Sequence, residues 1–115
     1  MTDPTLLVGL GGVAGALARH LVGERVEEAT YDTLAVNVLG SFVLGMLVAA
    51  PVGSDLLLLA GTGFCGAFTT FSSFAYETVR LAESGRVQRA VLNATVNLVG
   101  ALAAVGLGAL VAGAV

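Results

Sequence analysis

Four apolar runs, each long enough to cross a lipid bilayer and separated by joints too short to fold by themselves, leave this chain few ways to fold. The runs cover residues 5–22, 33–50, 55–82 and 87–113 of a 115-residue sequence. A helix of about 18 residues spans about 27 Å, close to the hydrocarbon thickness of a bilayer. The joints hold much of the charge and the turn chemistry: Glu24, Arg25, Glu27, Glu28 and Asp32 in the first, Pro51 and Gly53 in the second, Ser84 and Gly85 in the third. No stretch remains for an extramembrane domain. The expectation is an all-α membrane protein, a single domain over residues 1–115 with four transmembrane helices.

Composition supports lipid as the solvent. Charged residues make up 11% of the chain, about half the usual share, and mean hydropathy is +0.94. A soluble domain this short needs a polar shell that most of this sequence lacks. Cys65 is the single cysteine and His20 the single histidine, so an internal disulfide, a structural zinc and an iron–sulfur cluster are excluded. Net charge is −3 and all five basic residues are arginine, which provides no lysine-rich surface for nucleic acid. Nor does the chain offer the nucleophile, base or metal set of an enzyme. Met1 to Pro4 carries Asp3 and no basic residue, so the first run reads as a retained span rather than a cleaved signal.

Polar residues within the runs are costly in lipid and are the first places to seek function. Thr33, Asn37 and Ser41 recur every four residues, on one face of the second helix. Asn93 and Asn97 repeat that spacing in the fourth. Two readings stand: interhelical hydrogen bonds that hold the bundle together, or a polar path across it. The 16 glycines lie mostly inside the runs, where they permit close helix approach.

The third run is the most unusual. Gly61, Gly63, Gly66, Thr69, Thr70, Ser72 and Ser73 crowd into GTGFCGAFTTFSSF, and such residues support a helix poorly. The helix should break between Gly66 and Thr70. A break frees carbonyl oxygens at mid-membrane, which suit a hard cation, whereas the alternative is a glycine-softened kink against a neighbour. Just after it, Phe71, Phe74 and Glu77 follow at i, i+3, i+6, placing two rings and a carboxylate on one face. The positive ring edges can face a small anion where water is excluded. Arg19, near the end of the first run, either snorkels to the interface or points into an anion vestibule.

These residues are similar to those of the Fluc/CrcB fluoride channels over essentially the whole chain. The motifs are GGVAGALARH (Gly11 to His20), TLAVNVLGSFVLG (Thr33 to Gly45) and GFCGAFTTFSSFAYE (Gly63 to Glu77). The resemblance implies a fluoride-specific channel in the cell membrane that lets cytoplasmic fluoride leave passively. It implies an antiparallel dimer with an identical partner, as in the family's homodimers, where the one-sided arginines described below point instead to a paralogous one. It also implies a structural, untransported Na⁺ held by the backbone carbonyls of Gly66 and Thr69. It further implies ring edges of Phe71 and Phe74 facing the anion, Asn37 as a pore asparagine, Ser72 and Ser73 as a hydroxyl track, Glu77 as a pore-lining glutamate and Arg19 as a vestibule arginine. Asn93 and Asn97 join the anion pathway but depart from the family pattern, standing where tyrosine and serine are common.

The competing reading is a small multidrug-resistance-type, proton-coupled exporter, another four-span antiparallel dimer. It requires a mid-membrane glutamate in the first span, and residues 5–22 contain no carboxylate. Arginine placement adds an orientation. Arg19, Arg25, Arg80, Arg86 and Arg89 all lie in or near the first and third joints, and none lies on the side of the termini. Positive charge near span ends is retained in the cytoplasm, so both termini should lie outside.

Overall fold

A computed structural model describes residues 3–114, and these form the four expected crossings: Pro4–Arg25, Thr30–Ala49, Ser54–Glu83 and Val87–Ala114. Two helix ends, at Arg25 and Thr30, run about a turn past the apolar runs, because polar residues such as Glu24, Arg25 and Tyr31 continue a helix readily outside the hydrocarbon, and the other six ends agree with the runs to within one residue. Asp3 caps the first helix, accepting the Thr5 N–H at 2.9 Å, with Pro4 in the first turn where its missing N–H costs nothing. The third span ends in a glycine-dependent reversal. Gly85 takes φ +84°, the Arg86 N–H reaches the Leu81 carbonyl and the Gly85 N–H that of Ala82, the paired bonds of a Schellman cap.

The third span has two halves. The leading half begins with helical residues Ser54–Leu56, continues as a π-helix over Leu57–Cys65 and closes with Gly66–Phe68. The trailing half is Phe71–Glu83. Between them Thr69 (ψ 162°) and Thr70 (φ −148°, ψ 118°) are extended. The break falls at the far end of the expected window. Gly66 itself is helical, at φ −61° and ψ −36°, and the two threonines carry the interruption. The π-turns upstream were not foreseen.

The first helix packs along the leading half, the second along the fourth, and the trailing half crosses onto the fourth. Glycine makes both long contacts possible. A Cβ at Gly11 would strike the Leu59 carbonyl, at Gly15 that of Phe64, at Gly45 that of Val105 and at Gly108 that of Phe42. In lipid such backbone-to-backbone approach, rather than hydrophobic exclusion, holds helices together. The Gly45→Ala variant should therefore lose about 1–3 kcal/mol by overpacking against backbone, whereas Gly106→Ala, with open space around it, should be neutral. Thermal midpoints of the two purified variants in detergent would check this, and equal midpoints would contradict it.

Candidate ion pathway

The break is held by one side chain of the second helix. Asn37 accepts the Thr70 N–H on Oδ1 at 2.8 Å and donates from Nδ2 to the Thr70 carbonyl at 3.1 Å, so its amide satisfies both polar groups of one extended residue. Thr70 then restarts the helix: its Oγ1 accepts the Ser73 N–H at 3.1 Å as the cap of the trailing half. Both interactions divert amides from the helical pattern. The Thr70 N–H would otherwise reach the Gly66 carbonyl, and the Ser73 N–H that of Thr69. Those two carbonyls are thereby left without their usual partners four residues on.

Two spaces flank the break. The larger, about 580 Å³, is an open groove lined by Asn37, Ser41, Thr62, Cys65, Gly66, Thr69, Thr70, Phe71, Phe74 and Asn97 with apolar neighbours, and no charged side chain contributes to it. The smaller, about 450 Å³, is lined by Arg19, His20, Glu24, Asp32, Thr33, Thr70, Ser73 and Glu77. Thr70 borders both, so the break is the partition between a neutral groove and a charged vestibule. The Phe71 and Phe74 rings lie 5.8 Å apart at 53°, and Phe71 is 78% exposed. Phe64 and Phe68 stack on one another instead, with Phe68 buried in the core.

The structure brings some of the expected site residues together and separates others. Phe71 and Phe74 face the groove, while Glu77, one turn further along, faces the vestibule with Ser73 and Arg19. Glu77 Oε2 accepts a hydrogen bond from the buried Thr33 hydroxyl at 2.8 Å, and its other oxygen is buried with no hydrogen-bond partner among the described residues. Ser72 borders neither space; its hydroxyl lies 3.4 Å from that of Thr70. Asn93 borders neither as well, and Asn97, only 4% exposed, touches the groove with its amide already bonded to neighbours. Thr33, Ser41 and Thr70 are further polar residues of the site. The first two were legible as members of the second-helix stripe, and Thr70 as a hydroxyl three residues before Ser73 at a helix start. His20 pairs with Glu24 at 3.8 Å on the outer rim. Among the described residues no group of three or more His, Cys, Asp or Glu side chains is placed to hold a metal.

The comparisons with known proteins agree with one another. Residues 6–109 match the family model described as CrcB-like protein, Camphor Resistance (CrcB). This chain belongs to that family. Among curated CrcB-like relatives, it is 53% identical over 103 residues to the fluoride-specific ion channel FluC 2 of Haloarcula marismortui, covering 88% of this chain and 87% of that protein. It is 44% identical over 119 residues to the fluoride-specific ion channel FluC of Methanocaldococcus jannaschii, covering 97% and 96%. A FluC of Legionella pneumophila is 43% identical over 119 residues, covering 95% and 89%. Four spans together with this membership make the chain a multi-pass membrane protein.

Proposed function

We propose that this chain is a subunit of a channel that lets fluoride leave the cell passively across the cell membrane, and that it is not an enzyme. The observation that carries the reading is the broken third span beside a groove free of charged side chains. A break sets a helix C-terminus and a helix N-terminus back to back, with partial negative charge on the carbonyls of the first and partial positive charge on the amides of the second. The first suits a cation and the second an anion. An anion held by ring edges, hydroxyls and amides exchanges its hydration for weak dipoles and can leave again. On this reading the path runs from the vestibule of Arg19, Ser73 and Glu77, past Thr70 and Asn37, to the edges of Phe71 and Phe74. The exporter alternative has no support here: the first span lacks a carboxylate within residues 5–22, and the relatives are named as channels.

The carbonyls of Gly66 and Thr69 fit a structural Na⁺, because their usual amide partners are diverted and Gly66 has open space around it. Oxygen ligands suit a hard cation; the ion would supply fixed positive charge beside the path. Gly66 and Thr69 line the groove, and carbonyls without amide partners are not tolerated against lipid, which, with the exposure of Phe71, supports a second subunit covering this face. The partner is an antiparallel copy or a paralogous chain. The one-sided arginines support a fixed orientation with both termini outside, and hence a paralogous partner.

Two experiments test these readings. Purified protein in liposomes should release fluoride far faster than chloride, and the Phe71→Ile, Phe74→Ile double variant should lower fluoride efflux by roughly tenfold or more as the ring quadrupoles are lost. Equal release of the two anions, or full fluoride efflux from a correctly assembled double variant, would contradict the reading. For orientation, a Cys65→Ser background with one new cysteine at Gly53 or at Ser84, which is exposed beside the glycine-dependent turn, should be labelled from outside whole cells at position 53 alone. Equal labelling at both positions would mean dual insertion and an identical partner.

A further inference from the structure

Asn37 does not act alone. Its Nδ2, besides bonding the Thr70 carbonyl, donates to Asn97 Oδ1 at 3.3 Å. Asn97 Nδ2 donates to Asn93 Oδ1 at 3.2 Å and to the Asn93 carbonyl at 3.1 Å. Asn93 Nδ2 donates to Thr78 Oγ1 at 3.0 Å, and the Thr78 hydroxyl donates to the Phe74 carbonyl at 2.8 Å. The bonds run head to tail, from the Thr70 N–H, which can only donate, to the Phe74 carbonyl, which can only accept. Both ends lie at the start of the trailing half, so the second and fourth helices close a polar loop across the break.

We infer that Asn93, Asn97 and Thr78 form a positioning relay that fixes the orientation of the Asn37 amide and so holds the third span broken. An asparagine amide can point either way, and only one orientation presents oxygen to the Thr70 N–H and nitrogen to its carbonyl. The single hydroxyl proton of Thr78 and the Asn93 carbonyl, which can only accept, set the direction together. Because the proton goes to Phe74, the Thr78 oxygen faces Asn93 as an acceptor; Asn93 must then turn its nitrogen outward and its oxygen toward Asn97, and Asn97 its oxygen toward Asn37. Aligned bonds of this kind polarise one another in a low-dielectric interior. Neither Asn93 nor Thr78 borders the groove or the vestibule, so their influence on an ion must pass through Asn37 and Thr70. Both amide hydrogens of Asn37 and both of Asn97 are committed within the loop.

The test removes the far end of the relay. Thr78→Val keeps the shape and deletes the hydroxyl; Thr78→Ser keeps the hydroxyl. Backbone hydrogen exchange at Thr70, read by NMR on the purified protein in detergent, should accelerate roughly tenfold in Thr78→Val, the equivalent of one buried hydrogen bond. Thr78→Ser should return it to within about twofold of the parent protein, and amides of the first helix should be unaffected in both. The inference has a second readout that rests on the channel reading: fluoride efflux per assembled channel should fall in Thr78→Val and recover in Thr78→Ser. Unchanged exchange at Thr70, acceleration spread evenly over all helices, or a loss that serine does not restore would overturn the relay. If the parent protein releases no fluoride, the channel reading fails, while the exchange comparison still decides the relay.

Discussion

The structure depends on the two hydrogen bonds between the Asn37 amide and the backbone of Thr70. In water an extended residue between two helices is unremarkable, since solvent satisfies its N–H and carbonyl. Inside a bilayer the same residue carries an uncompensated cost of several kcal/mol for each unpaired group. A side-chain amide presents a donor and an acceptor side by side and can replace both partners at once. Without it, the cheapest remedy is to restore the helix, which would return the Gly66 carbonyl to the Thr70 N–H and remove the two half-helix ends. Every feature that bears on an ion follows from that contact: the freed carbonyls, the capped restart at Phe71, and the separation of a neutral groove from a charged vestibule.

The rest of the bundle provides a frame stiff enough for the contact to persist. Gly11 and Gly15 seat the first helix on the leading half, and Gly45 and Gly108 seat the second helix on the fourth. The second pair matters most for the site, because it sets the distance between Asn37 and Asn97. A larger residue at either glycine would separate the helices and stretch the bond between the two amides. Packing and polar satisfaction are thus coupled through the same pair of helices, one reason small residues and buried amides occur together in membrane proteins.

Much of this was legible in the residues themselves. The four crossings follow from run length and the short joints, and the break follows from crowding glycine and hydroxyl residues into one run. The location of the break was less so. The break lies within the expected window of Gly66 to Thr70, but propensity does not say where in it: flexibility alone does not interrupt a helix in lipid; an alternative partner does, and that partner sits thirty-three residues earlier at Asn37. No local pattern reveals a contact of that range. The asparagines of the fourth helix show the same limit. Their spacing marked one polar face, yet whether that face met an ion or other amides depended on the register of the second and fourth helices. Phe71, Phe74 and Glu77 share a helix face by spacing, but the wall formed at Thr70 assigns the rings to one space and the carboxylate to the other.

The central claim is that the third span is broken at Thr69 and Thr70 because Asn37 replaces the helical partners of Thr70. Solid-state NMR of the protein in lipid bilayers, with carbon-13 labels on the threonine and glycine backbones, measures it most directly. The account predicts extended-type carbon shifts at Thr69 and Thr70 with helical shifts at Gly66, and a change of Thr70 toward helical values in the Asn37→Leu variant. Helical shifts at Thr69 and Thr70 in the parent protein, or extended shifts that persist unaltered in Asn37→Leu, would contradict it.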